Sequence, residues 1–345
     1  MKKRIGVMSG ALLALVSGVL LSASAHADSG NKIALVPGAP HPYFSPWSQA
    51  AADAKKDFKI STVDFKVPAE RKLNMQAELL ESLMSQGYNG FGIFPGDPAG
   101  INSTVQELAS NGVPVISLSG CPLEPTKVLF CMGTDLTKAA FMQTQALIKA
   151  IGGKGKIVHL AGPLIDPNTK LRMSAVEAAV KQTNGAVTLE TLADTDDQEK
   201  AEQRINALLG AQKGQLAGLI ATGYVQSVVA AKALRSVGDK KIKLVGTDTD
   251  PVVMDGIKDG FVTGTLAQDV YGEGYIASYA LNQLAGGKCV IKPDAPFQKT
   301  PTSSRFIDSR PVYVSSANLA TYKDELKKNA AAIQSTFKQT YLSCK

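Results

Sequence analysis

The sequence predicts an α/β fold of two similar lobes, each built on a parallel sheet. Three observations lead there. Short, wholly apolar runs alternate with helix-period segments of roughly 10–18 residues, the grammar of buried parallel strands with right-handed crossovers. The same alternation restarts halfway along the chain. At 345 residues the chain is about twice a typical single domain, and 44% apolar residues suffice for two cores.

In order, Lys32–Val36 is a strand and Tyr43–Phe58 a helix. Ile60–Phe65 is a strand. Pro68–Gln86 is a helix whose apolar face is Leu73, Leu79, Leu80, Leu83 and Met84, stopped by Gly87. Gly90–Phe94 is a strand, Pro98–Ser110 a helix and Val113–Leu118 a strand. The second unit runs through helix Leu136–Ile151, strand Lys156–Leu160, helix Asn168–Gln182 and strand Ala186–Thr191. Helix Gln198–Leu209, strand Leu216–Ile220, helix Val225–Val237 and strand Ile242–Val245 follow. Then come a helix over Tyr271–Leu284, a proline-rich irregular stretch over Lys292–Ser304, a strand at Val312–Val314 and a lysine-rich helix over Asn318–Lys338.

Residues 1–27 have the layout of a cleaved secretory leader: Lys2-Lys3-Arg4, an uncharged apolar stretch from Ile5 to Leu21, then small residues at Ala25 and Ala27. The expected mature start is Asp28, and the expected compartment is the periplasm. All four cysteines follow the leader. Three pairings are open; the ten-residue spacing around Pro122 and Pro125 makes Cys121–Cys131 the first choice, leaving Cys289 with Cys344. The formal charge is +7, of which the leader carries +3, so the remaining +4 forms no basic block and nucleic acid is not expected.

Catalytic motifs are absent from the sequence. It has no H-E-x-x-H, no G-x-S-x-G and no G-x-x-x-x-G-K-[ST]. Gly152–Gly155 precedes a strand and reads as a turn, and Asp197 reads as a helix cap in place of a calcium ligand. Neither cofactor nor metal is expected, and binding is favoured over catalysis. In doubly wound sheets, ligands sit beyond the carboxyl ends of the strands. That points to His41–Trp47, Phe94–Asp97, Ser117–Cys121, Leu164–Asn168, Thr222–Tyr224 and Thr247–Asp250.

Several segments, in this order, carry a resemblance. They are His41-Pro-Tyr-Phe44 where N-P-F-F is usual, Gln86–Asp97, Asn111–Ile116, Leu244-Val-Gly-Thr-Asp248, Asp259-Gly260 and Thr265-Leu-Ala-Gln268. The chain resembles the periplasmic solute-binding proteins of ABC importers of the ribose- and galactose-binding type, over about Lys32 to Gly286. The resemblance implies two Rossmann-like lobes joined by a three-strand hinge. Its expected boundaries are residues 28–134 with 268–311 for the N-terminal lobe, and 135–267 with a returning strand near 312–314 for the C-terminal lobe. Residues 315–345 would form a helical extension.

Carried over by position, the resemblance implies a grip of Asp248 and Gln268 on ligand hydroxyls. Arg172, or Lys170 if the register slips, would stand near the start of its helix, Asp135 at the first crossover, and Tyr43 and Phe44 against a sugar face. His41, Phe94, Ser119, Asp166 and Tyr224 complete the expected ligand-binding set. Departures are plain: Ser119-Gly120-Cys121 replaces the usual Asp-Arg, and Gly223-Tyr224 an Asn-Asp pair. The expected function is capture of a small hydroxylated, sugar-like solute by a monomer that hands it to an inner-membrane permease. The alternative is an exported sensory protein presenting a polyol or signalling furanose to a membrane receptor.

Overall fold

The computed structural model describes residues 30–345, and the leader expected over residues 1–27 lies outside them. The chain begins with β1 (Lys32–Val36), α1 (Pro46–Asp57), β2 (Thr62–Phe65), α2 (Leu73–Ser85), β3 (Gly90–Ile93), α3 (Asn102–Ser110), β4 (Val115–Leu118) and β5 (Cys131–Gly133). It crosses to α4 (Leu136–Ala150), β6 (Gly155–Leu160), α5 (Pro167–Lys181), β7 (Val187–Leu192), α6 (Gln198–Gln212), β8 (Leu216–Ala221), α7 (Tyr224–Ser236), β9 (Lys243–Thr247), α8 (Pro251–Asp259) and β10 (Gly264–Ala267). It returns for α9 (Val270–Leu284), β11 (Cys289–Ile291), β12 (Gln298–Thr300) and β13 (Ser303–Asp308). It closes with β14 (Val312–Val314), α10 (Tyr322–Tyr341) and β15 (Leu342–Cys344).

Two main sheets result. The N-terminal lobe has the order β12-β13-β5-β4-β3-β1-β2, and the C-terminal lobe β14-β10-β9-β8-β6-β7. All pairings in them are parallel except β12 with β13 and β10 with β14. Side-chain alternation splits each strand between two cores. On β1, Ile33 and Leu35 join the cluster under α1, α9 and α10, while Ala34 and Val36 join that under α2 and α3. On β6, Val158 and Leu160 pack toward α6 and α7, and Ile157 packs toward α4 and α5.

The chain passes between the sheets three times, over 133–136, 267–270 and 308–312. The first and third passages are tied together: Ser309 N donates to Gly133 O at 2.7 Å, and Asp135 N to Asp308 Oδ1 at 3.3 Å.

Some elements differ from their sequence reading. Tyr43 belongs to a short 3-10 turn over Pro42–Phe44, and α1 starts afresh at Pro46. The chain stays extended through Lys72 (φ −133°, ψ 136°), so α2 begins at Leu73 and residues 66–72 form a loop toward the cleft. The Lys292–Ser304 stretch contains a hairpin; exposed, polar Gln298–Thr300 has no apolar alternation to reveal a strand. Helix α8 was unmarked, although Asp250 caps it, Pro251 takes its first position and Gly260 ends it at φ 77°.

Helix α10 is no mere extension. Tyr322 and Leu326 pack into the C-terminal lobe, whereas Ala330, Ile333 and Phe337 pack into the N-terminal lobe. Between these patches Asn329 Nδ2 donates to Arg310 O in the third passage at 3.0 Å. Cys289 and Cys344, paired across β11 and β15, form a disulfide that fastens the end of α10 to the N-terminal lobe, and Cys121 is joined to Cys131.

Candidate functional site

The carboxyl ends of the strands of both sheets face one cleft, and the loops there are held from beneath. Buried Gln76 on α2 donates to Phe94 O at 2.7 Å and accepts from Gly96 N at 3.0 Å, fixing the turn after β3. That turn lies so close to the one after β1 that a Cβ on Gly38 would sit 2.2 Å from Gly96 Cα. Only glycine permits the approach.

The lobes are closed on each other. His41 of the N-terminal lobe and Tyr224 of the C-terminal lobe have ring centroids 6.0 Å apart, and Asn168 Nδ2 reaches Ser119 O at 3.4 Å. Between them lies a chamber of about 110 Å³. Ten expected residues line it: His41, Tyr43, Phe44, Phe94, Ser119, Asp166, Arg172, Tyr224, Asp248 and Gln268. Asp135 does not; it caps α4 by accepting from Lys138 N at 3.1 Å and lines a separate small cavity.

Asp248 follows β9 in the left-handed region (φ 70°), held there because its N–H donates to Leu266 O at 2.7 Å and its carbonyl accepts from Thr265 Oγ1 at 2.8 Å. A non-glycine residue at positive φ costs backbone energy, and such residues concentrate at ligand clamps. Burial pushes the Asp248 carboxyl up to about 7, against the pull of the Gln268 amide and of Arg172. Arg172 itself makes no hydrogen bond or ion pair among the described residues. Its guanidinium remains available to a guest.

On the N-terminal side, Phe44 is buried with its ring 4.9 Å from Trp47 and 5.0 Å from Phe94. Tyr43 OH donates to Ser119 Oγ at 3.1 Å, and Ser119 Oγ, also at positive φ (60°), donates to Glu273 Oε2 at 2.5 Å. Burial raises fully enclosed Glu273 to about 8, helped by the neighbouring Asp269 carboxylate. His41 Nδ1 accepts from Tyr43 N at 3.2 Å, which leaves the neutral ring's proton on Nε2, buried and unpartnered among the described residues. Desolvation lowers its pKa, the Asp196 carboxylate opposing. Two more expected residues already have structural bonds: Asp166 caps α5, accepting from Asn168 N and Thr169 N, and Tyr224 OH donates to Asp250 Oδ2 at 2.5 Å.

Asn168, within the marked Leu164–Asn168 segment, also lines the chamber; Arg71 and Asp196 in its wall and Glu273 behind it lie outside the marked segments. Arg71 follows β2 and Asp196 follows β7, so the rule that marked the other strand ends would have found both had it been applied to these two edge strands. Nothing local flags Glu273, which reaches the site from α9. Asp197, beside Asp196, caps α6 by accepting from Lys200 N at 3.0 Å. The chamber thus combines carboxylates, two guanidinium groups, two amides and aromatic side chains from both lobes. That mixture suits a neutral, hydroxyl-rich guest.

A family model described as a periplasmic binding protein domain matches residues 33–289. Among curated proteins, the ribose import binding protein RbsB of Bacillus subtilis is 26% identical over 238 residues, 69% of this chain and 75% of the relative. The xylitol-binding protein of Mycolicibacterium smegmatis is 23% identical over 204 residues, 58% of this chain and 57% of that protein. Among solved structures, an ABC transporter solute binding protein from Burkholderia graminis in complex with D-arabinose superposes with a TM-score of 0.74. It is 20% identical and covers 86% of this chain and 99% of its own. One from Agrobacterium vitis with bound D-fucose gives 0.74 at 18% identity, with the same coverages. These likenesses establish the fold.

Proposed function

The chain belongs to the periplasmic binding protein family, and from that premise we propose that it captures a small polyhydroxylated solute, a sugar or close relative, and delivers it to the permease of an ABC importer. The observation that carries this reading is the closed chamber itself. Asp248 and Arg172 from the C-terminal lobe, with Gln268 at the second passage, face Tyr43, Phe44 and Phe94 from the N-terminal lobe across one small cavity. Carboxylate and amide groups can hold hydroxyls while aromatic faces cover ring C–H groups. The relatives that import ribose or bind xylitol, and the neighbours with D-arabinose or D-fucose, support the same class of guest.

The proposed lobe boundaries are 28–134 with 268–311 and 135–267 with 312–314, the α10 strap joining both. The proposed leader, residues 1–27, directs export and is removed before Asp28; intact mass of the exported protein checks it, and retention of Met1 would refute it.

A thermal-shift screen across pentoses, hexoses, polyols and amino acids, followed by calorimetric titration of each hit, tests the reading. A ligand at a hundred times its Kd stabilises the native state by about 2.7 kcal/mol, a rise of several degrees in Tm. A response to amino acids with none to sugars or polyols would overturn it.

A further inference from the structure

Beside the ligand chamber lies a larger cavity, about 320 Å³ against about 110 Å³. Tyr43, Tyr224, Asp248 and Gln268 line both, so the two spaces share one partition of four side chains. Four parts of the molecule supply the outer walls: Ser45 and Pro46 at the start of α1, Thr249 to Pro251 leading into α8, Asp269 to Tyr271 leading into α9, and Tyr322, Lys323 and Leu326 on α10.

This lining has the chemistry of the inner chamber, not that of a buried seam. Tyr224 and Tyr271 both line it and are pinned through their hydroxyls, Tyr224 to Asp250 Oδ2 at 2.5 Å and Tyr271 to Asp53 Oδ2 at 2.8 Å, the Tyr271 ring also stacked on Tyr275. Fixed rings beside hydroxyls and carboxylates are what a second hydroxylated ring requires. Volume points the same way. Small-molecule pockets run from about 300 Å³ upward; the inner chamber alone falls well short, and the outer one reaches that size.

We infer that the ligand has two parts: one hydroxylated ring in the inner chamber and a linked second unit, a sugar or other glycosidic substituent, in the outer one. The guest class is therefore a disaccharide or glycoside, with its linkage lying at the partition of Tyr43, Tyr224, Asp248 and Gln268. This inference rests on the reading of the inner chamber as a sugar site.

The test is calorimetric titration of the mature chain with pentoses and hexoses, then with disaccharides and methyl or aryl glycosides built on the sugar that binds. The expected result is a glycoside that binds at least about tenfold more tightly than its parent sugar. Ser45→Trp and Lys323→Trp obstruct the outer cavity from opposite walls. Both positions are exposed and neither lines the inner chamber, and Ser45 makes no side-chain cap bond. Each variant should bring the glycoside down to its parent's affinity while leaving the parent's unchanged, with folding followed by circular dichroism. A parent sugar that binds as tightly as every glycoside, or a glycoside indifferent to both tryptophans, overturns the outer site alone. Failure of every sugar to bind the unaltered protein overturns the inner-chamber reading and the outer site with it.

Discussion

Gln268 Nε2 donates to Asp248 Oδ1 at 2.9 Å, so the amide at the second passage between the lobes and the carboxylate beyond β9 act as one unit. The bond occupies one carboxylate oxygen and orients the other. It also ties the Asp248 carboxylate to a segment that must move if the lobes part.

Asp248→Ala should therefore weaken ligand binding by about 10- to 100-fold. It removes one charge-assisted hydrogen bond, worth about 1.5–3 kcal/mol, and frees the Gln268 side chain. Asp248→Asn keeps the shape and one acceptor and should lose less. Calorimetric titration of both variants, with folding checked by circular dichroism, decides it; wild-type affinity in folded Asp248→Ala would remove Asp248 from the site.

The ligand-free protein should grow more stable as pH falls from about 8.5 to 6.5. A carboxyl whose folded pKa exceeds its unfolded value holds its proton more tightly in the folded state, so stability is gained on acidification. Burial raises Glu273 to about 8, Asp248 to about 7 and Asp269 to about 6. Below 6.5 the gain continues as Asp269 takes up its proton, opposed in part by His159, which burial lowers to about 3 so that there the unfolded chain takes up the extra proton. Tm measured across this range should show the steep limb, and Glu273→Gln should make it shallower. A Tm that falls on acidification from 8.5 to 6.5 would contradict the assignment.

Phe44 and Tyr43 should separate in their effects. Phe44 is 4% exposed among Trp47, Phe94 and Tyr43, so Phe44→Ala should cost about 3–5 kcal/mol of stability. Tyr43→Phe loses only the bond to Ser119 and should cost about 0.5–1.5 kcal/mol. Urea unfolding of the two variants measures the contrast.

The Cys289–Cys344 bond closes a loop with a sequence separation of 55. Replacing both cysteines by alanine should cost about 2–4 kcal/mol, read as a lower urea midpoint. Non-reducing peptide mapping should recover the linked peptides.

How much of this was legible follows from the range of each signal. Inner strands such as Gly90–Ile93 and Leu216–Ala221 announced themselves because a buried parallel strand is apolar on both faces, whereas short Cys131–Gly133 and the polar hairpin over Gln298–Asp308 carry no such run. Site residues at strand ends were legible for the same reason: once β4 and β9 are placed, Ser119 and Asp248 must face the cleft. Glu273 was not, since its role depends on α9 packing beneath Ser119, a contact 154 residues apart in sequence. Asp135 was misplaced because a residue at a crossover can face either the ligand or its own helix, and Lys138 N decides between them. The strap formed by α10 was invisible because its apolar positions look like one amphipathic face until two different cores divide them.

That division of α10 has a kinetic consequence. A helix glued at one end to each half of a clamshell makes parting the halves an uphill event, since either the Tyr322–Leu326 contacts or the Ala330–Phe337 contacts must give way. Entry of the guest then waits on a rare gap, and the fraction of molecules ajar multiplies the apparent association rate. Leu326→Ala, which loosens one end, should speed both association and escape of the parent sugar in stopped-flow mixing, because the same contacts hold the empty and the loaded clamshell shut; an unaltered association rate would mean that the rod travels with the lobes at no cost.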